Sequence, residues 1–248
     1  MDETWLHYGI MKWMTLSTRA IILSFLATNA GLVRAQGNFT GEEVTCHTNT
    51  TLVQRGGEWT PLTEKMTMPG GIVVFTNGTF RIKEGKERSL EEGQILRADG
   101  YLLNPDGSIL PVFDHLAMNG ATVMDFKDGK GVALSEPLTL PDGSVINPDG
   151  TYWRPAGSYG RRSRLVDGQL LTLEGAPMKS LDTISFHNGK VVVYKSGALI
   201  PLQSPTVIMG MCDGTRVRGD GLVTFPDGRT TQMTDDQVIT VPGVRAEW

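Results

Sequence analysis

Apolar residues in this chain come in short groups, interrupted by polar, turn-forming residues at a fixed interval. In "GIVVFTNGTFRIKEG", "GSVINPDGTYWRPAG" and "GTRVRGDGLVTFPDG" the interval is seven residues. Glycines mark it at Gly71, Gly78 and Gly85, at Gly143, Gly150 and Gly157, and at Gly214, Gly221 and Gly228. Seven residues hold one tight turn and about four extended residues, a strand of roughly 13 Å at ~3.3 Å per residue. The turns carry their own chemistry in "LPDG" (140–143), "NPDG" (104–107 and 147–150) and "FPDG" (225–228). Proline presets φ for the second turn position and aspartate suits the third. Glycine then takes the left-handed position that closes a type I turn with a bulge. No stretch after residue 35 sustains a 3.6-residue apolar period, so no helix is expected there. The pattern predicts an all-β protein of short-strand antiparallel meanders.

The same pattern recurs on a larger scale. The three glycine triplets lie about 72 residues apart, and apolar positions agree between them. Val74, Ile146 and Val217 correspond, as do Phe80, Tyr152 and Val223, and Leu90, Leu165 and Met233. Upstream, Met66 and Met68 match Leu138 and Leu140, then Met209 and Met211. The chain is therefore read as three tandem copies, at 46–103, 117–178 and 184–244. Two architectures suit them: small sheets or barrels, one per copy, or an elongated hairpin array in which neighbours cover one another.

Residues 1–35 read differently. Lys12 and Arg19 precede the apolar run "AIILSFLA" (20–27), and Val33 and Ala35 are small residues at signal-peptidase positions. A secretory signal cleaved after Ala35 is expected, with residues 1–10 a misplaced start ahead of Met11. The run is too short for a membrane span, and none is expected after cleavage. The net charge is −4. Cleavage removes Lys12, Arg19 and Arg34 with Asp2 and Glu3, leaving about −5, which offers no basic field for nucleic acid. An exported, periplasmic or extracellular protein follows. In such a compartment Cys46 and Cys212 are a candidate disulfide that spacing alone does not decide.

The glycine ladder, the "L-x-x-G-Q-x-L" stretch from Leu90 to Leu96 and the closing Gly100 resemble exported bacterial proteins with tandem DG-rich units, catalogued as domain of unknown function 6799. The resemblance covers most of residues 46–244. It implies an exported, β-rich bacterial protein and brings no activity, ligand or cofactor. The second copy departs from it by an insertion near "YGRRSR" (159–164), the third by lacking a glycine before Gln237.

The repeat tests candidate chemistry, because a site used once per copy should recur. Apart from glycine, the recurring identity is Gln94, Gln169 and Gln237, read as turn-bonding amides or as ligand contacts. The aspartates before glycine suggest calcium, but turn chemistry accounts for them and no calcium-binding nonapeptide is present. Met66, Met68, Met209, Met211 and Cys212 are soft donors suited to copper. Leucines at the matching positions of the second copy argue for core packing instead. His47, His115 and His187 show no recurring partner, and no catalytic motif or phosphate loop occurs. Trp59, Trp153 and Trp248 are not at equivalent positions, so no repeated sugar-stacking site is expected. The sequence points to a non-enzymatic structural or interaction module whose partner is an envelope protein or surface polymer. The alternative is a metal (copper or calcium) or small-ligand binding protein.

Overall fold

The computed structural model describes residues 34–35, 41–155 and 161–244. The expected signal sequence other than Arg34–Ala35, the turn glycine Gly157, the start of the "YGRRSR" insertion and Trp248 lie outside them. Among the described residues there is no α-helix, only a 3-10 turn at Pro69–Gly71. Among the described residues no helix is long and apolar enough to cross a membrane.

Three copies of one β unit follow one another. In the first, strands Glu43–His47, Thr50–Arg55 and Glu58–Pro61 form a meander. The chain then builds a separate four-stranded sheet from Met66–Met68, Ile72–Val74, Thr79–Ile82 and Glu87–Ser89. It returns as Ile95–Arg97, antiparallel to Glu43–His47. The second copy repeats the plan with the meander His115–Asn119, Thr122–Lys127 and Lys130–Ala133, the small sheet from Leu138 to Arg164, and the return strand Leu170–Thr172. The third uses Leu181–His187, Lys190–Lys195 and Ala198–Pro201, a small sheet from Ile208 to Gln232, and the return strand Gln237–Pro242. Register confirms the equivalence: Val44 faces Leu96, Leu116 faces Leu171 and Ile184 faces Ile239. The sheets are open, so the barrel alternative does not hold.

Strands of two to four residues in the small sheets bury too little to stand alone. Each small sheet therefore packs its inner face on the meander of its own copy. Ile72 and Val74 are buried while Val73 between them is half-buried, the two-residue period of a one-sided sheet. Val74, Ile146 and Val217 occupy the centres of three separate cores. Full burial of such a side chain is worth about 1.5–3 kcal/mol.

The seven-residue metre is the hairpin turn. Gly143 donates its N–H to Leu140 O at 2.9 Å and Leu140 donates to Ser144 O at 2.8 Å, with Gly143 at φ +80°. Gly78, Gly150, Gly214, Gly221 and Gly228 donate back three residues in the same way, all with positive φ. Gly85 departs from the expectation. Its φ is not positive, and Lys83 takes the left-handed conformation in that turn.

An elongated array is excluded by a fourth core. Ile95, Tyr101, Leu103 and Ile109 of the first copy and its extension pack on Leu181, Tyr194 and Val238 of the third. Strands Tyr101–Leu103 and Ile109–Pro111 extend the first sheet to make this contact. Arg97 Nη1 donates to Thr240 Oγ1 across it at 3.2 Å. Arg34–Ala35 pairs in parallel with Gln237 and Val238 at the edge of the third sheet.

Candidate functional site

The three recurring glutamines do one job. Gln94 Oε1 accepts the N–H of Glu91, Gln169 Oε1 that of Val166, and Gln237 Oε1 that of Thr234, each at 2.9 Å. The backbone N–H of each glutamine donates back to the carbonyl of the same residue, at 3.0–3.2 Å. Each glutamine thus closes, with side chain and main chain, the turn that leads into the return strand. Gln94 Nε2 also donates to Asn104 Oδ1.

The aspartates of the turns are engaged too. Asp106, Asp142, Asp149, Asp213, Asp220 and Asp227 each accept the N–H of the residue two positions on, at 2.8–3.1 Å. Bonds to Ser144 hold the Asp142 carboxyl below the usual range, with N–H the larger contribution. The methionines pack as Leu138 and Leu140 do. Met68 and Met211 are buried in the cores of the first and third copies, and Met66 and Met209 pack against those cores from the side.

Cys46 and Cys212 are free thiols, so the candidate disulfide is not formed. Cys46 sits beside Gly78 within the first copy, where a Cβ on Gly78 would come 2.8 Å from its sulfur. Cys212 lies beside the Asp182 carboxyl in the third. Burial raises both thiols above their ordinary pKa.

The expectation that the histidines lack a recurring partner is overturned. His47 and His187 occupy the same position, each before the first hairpin turn of its copy. Each pairs through Nδ1 with a carboxylate of the glutamine turn, Glu92 or Asp236. In the second copy the position is Asn119, and Asp167 accepts the adjacent Gly120 N–H at 2.7 Å. The sequence signal was an acidic residue one or two places before each recurring glutamine. The pairing was hidden because its partner lies 45 or 49 residues away. In the third copy His187, Asp235 and Asp236 bring three potential ligand atoms within 4.8 Å of one another, at the surface.

A family model described as a domain of unknown function, DUF6799, matches residues 43–102, 113–176 and 181–244. The chain belongs to the DUF6799 family. The three matched regions coincide with the three β units, so one family domain is one meander with its inserted sheet. No curated protein and no solved structure matches the chain.

Two further groups are set apart by burial. His115 is buried, stacked on Phe126 at 4.7 Å between ring centroids, and desolvation lowers its pKa. Asp182 is buried at the start of the third meander. Desolvation pushes its carboxyl up to about 6, against the opposing pull of the Ser196 N–H and Lys195. The Asp182 position is acidic in each copy, as Glu42, Asp114 and Asp182, and Asp114 Oδ1 accepts the Asp128 N–H as Asp182 Oδ1 accepts that of Ser196. The His115 position is Glu43 in the first copy and Thr183 in the third.

Proposed function

We propose that this DUF6799 protein is a non-enzymatic, exported component of the bacterial envelope or periplasm, its tandem sheets serving as a structural or interaction module. Its partner is an envelope protein or a surface polymer. The observation that carries the reading is the use of Gln94, Gln169 and Gln237. The polar residue repeated in all three copies bonds its own turn rather than facing a common cleft. Export is supported by the apolar run at 20–27 and the small residues Val33 and Ala35. Expression of the full chain in a bacterial host tests it, by fractionation and N-terminal sequencing. The expected product begins at Gln36 and is recovered outside the cytoplasm in association with envelope material. An uncleaved cytoplasmic chain would overturn the assignment.

One observation favours a second reading, metal binding: the grouping of His187, Asp235 and Asp236. Elemental analysis of protein purified without chelators decides it. Stoichiometric metal that is lost in His187→Ala supports metal binding, and its absence from the native protein removes that reading.

A further inference from the structure

The second copy departs from the repeat on the outer face of its small sheet. Strands Val145–Ile146, Thr151–Arg154 and Arg161–Arg164 lie side by side there. Ile146 and Tyr152 face inward and are buried in the core of the copy, so their strand neighbours Val145 and Trp153 face outward. Trp153 is directly opposite Val145 on one side and Arg162 on the other. It is 40% exposed and, among the described residues, is the one exposed aromatic side chain. Arg164, two residues on from Arg162, shares the face, and both arginines are exposed. Among the described residues no salt bridge engages either of them. The acid nearest the face in sequence, Asp149, accepts the Thr151 hydroxyl and N–H. Those bonds hold its carboxyl below the usual range, with Arg164 a smaller contribution.

The other copies carry no such pair. In the first copy Arg81 stands where Trp153 does and is opposite Glu87, so the cation meets a carboxylate. In the third the position is Thr224, between Arg216 and Thr230. An exposed indole offers a flat apolar face of negative potential, on which the C–H face of a pyranose ring stacks. A guanidinium takes a carboxylate through charge-assisted, bidentate hydrogen bonds. Opposed residues on neighbouring strands have Cβ atoms about 5 Å apart, so the ligand must carry its anion close to its ring. A uronic acid does, with the carboxylate directly on the pyranose. An acidic peptide does not, since its carboxylates end flexible chains and it has no ring to stack. The Cα atoms of Arg162 and Arg164 are roughly 7 Å apart along the strand at ~3.3 Å per residue, which brings a second carboxylate of the same polymer within reach. An open sheet face suits an extended polymer, whereas a small molecule needs enclosure. The chain is anionic overall, so the attraction is local and is screened by salt.

We propose that the outer face of the second small sheet binds a polyuronate, an anionic polysaccharide, with a pyranose ring stacked on Trp153 and carboxylates on Arg162 and Arg164. The site rests on the surface-polymer reading above and gives that polymer its chemistry. Calorimetric titration of the purified chain at low and moderate salt tests it, with tetragalacturonate, neutral maltotetraose and hexaglutamate as probes. Saturable binding is expected for tetragalacturonate, weakening as salt rises. It should be at least about tenfold tighter than for maltotetraose, the difference that one charge-assisted hydrogen bond makes. Hexaglutamate, which has carboxylates and no ring, should also bind at least about tenfold more weakly. Trp153→Ala and Arg162→Gln should each weaken tetragalacturonate by at least about tenfold while melting with the native protein, because both side chains are exposed. No saturable binding, equal binding of maltotetraose, or an affinity unchanged by Trp153→Ala overturns the site. Hexaglutamate binding as tightly as tetragalacturonate also overturns it, and makes an acidic protein the partner. Should a variant fail to fold, the ranking of the three probes on the unaltered protein decides alone. Fractionation fails separately: an envelope-associated chain that binds no polyuronate keeps the export reading and loses only this site.

Discussion

Gly107 lies so close to the third copy that a Cβ added to it would come 2.8 Å from Ser185 Oγ. Its carbonyl accepts the hydroxyl of Thr183 on the same strand. The "NPDG" turn at 104–107 is therefore a docking element as well as a turn, closing one end of the core shared by the first and third copies. Gly107→Ala meets two costs, a left-handed φ of +88° and the clash with Ser185. Gly228→Ala meets only the first, with φ +84° and nothing within 4 Å of the added carbon. The expected losses are about 1 kcal/mol at Gly228 and about 2–3 kcal/mol at Gly107. Urea unfolding measures both, and equal losses would mean that the first and third copies do not press together as described.

Each recurring glutamine satisfies one turn N–H that alanine would leave without its acceptor. Gln94→Ala, Gln169→Ala and Gln237→Ala are each expected to cost about 1–2 kcal/mol. The effects should add in the triple variant, because the three bonds lie in separate copies and share no partner. Thermal melts check this. A variant that loses a binding activity without losing stability would assign glutamine to a ligand instead.

The same two elements show what the sequence could tell. Short strands and tight turns are local, set by "PDG" within four residues, so their class and spacing were legible. The core positions Val74, Ile146 and Val217 were legible because three copies vary around one pattern. The separation of each copy into two sheets was not, because the return strand at Ile95–Arg97 pairs with Glu43–His47 across about 50 residues. Turn chemistry carries no signal of that distance. The junction of copies was hidden for a related reason. Leu181, Tyr194 and Val238 look like ordinary strand residues until the extension Tyr101–Pro111 covers them. His115 lies at that junction and has Glu43 and Thr183 at its position in the other copies, so comparison of the copies could not reveal it.

The thiols offer a direct check on the arrangement. Both are free and both are shifted upward by burial, which lowers the reactive thiolate fraction at neutral pH. Cys212 is exposed and Cys46 is half-buried beneath Gly78. The native protein is expected to hold two free thiols, with Cys212 modified first and Cys46 only slowly until denaturant is added. Mass spectrometry after timed alkylation under non-reducing conditions reads both rates. A Cys46–Cys212 crosslinked peptide would contradict the placement of the two sulfurs in separate environments.

Asp182 gives stability a pH dependence opposite to that of the turn aspartates. Its folded pKa of about 6 lies above the unfolded value of about 3.9. Between these values the folded state binds the extra proton, so Asp182 costs stability progressively as pH rises from about 4 to about 6. Two pKa units correspond to about 2–3 kcal/mol. Asp142 runs the other way. Its pKa is lowered by the Ser144 bonds, so its contribution is present above the unfolded value and lost as pH falls. His115, lowered by burial, also favours higher pH, because the unfolded chain takes up a proton first below about 6.5. These contributions overlap in the native protein, but a difference curve separates them. Asp182→Asn should match the native protein near pH 4 and exceed its stability by about 2 kcal/mol at pH 7. Urea unfolding of both proteins at several pH values gives the curve. A flat difference would mean that the Asp182 carboxyl is solvated rather than held in the apolar junction.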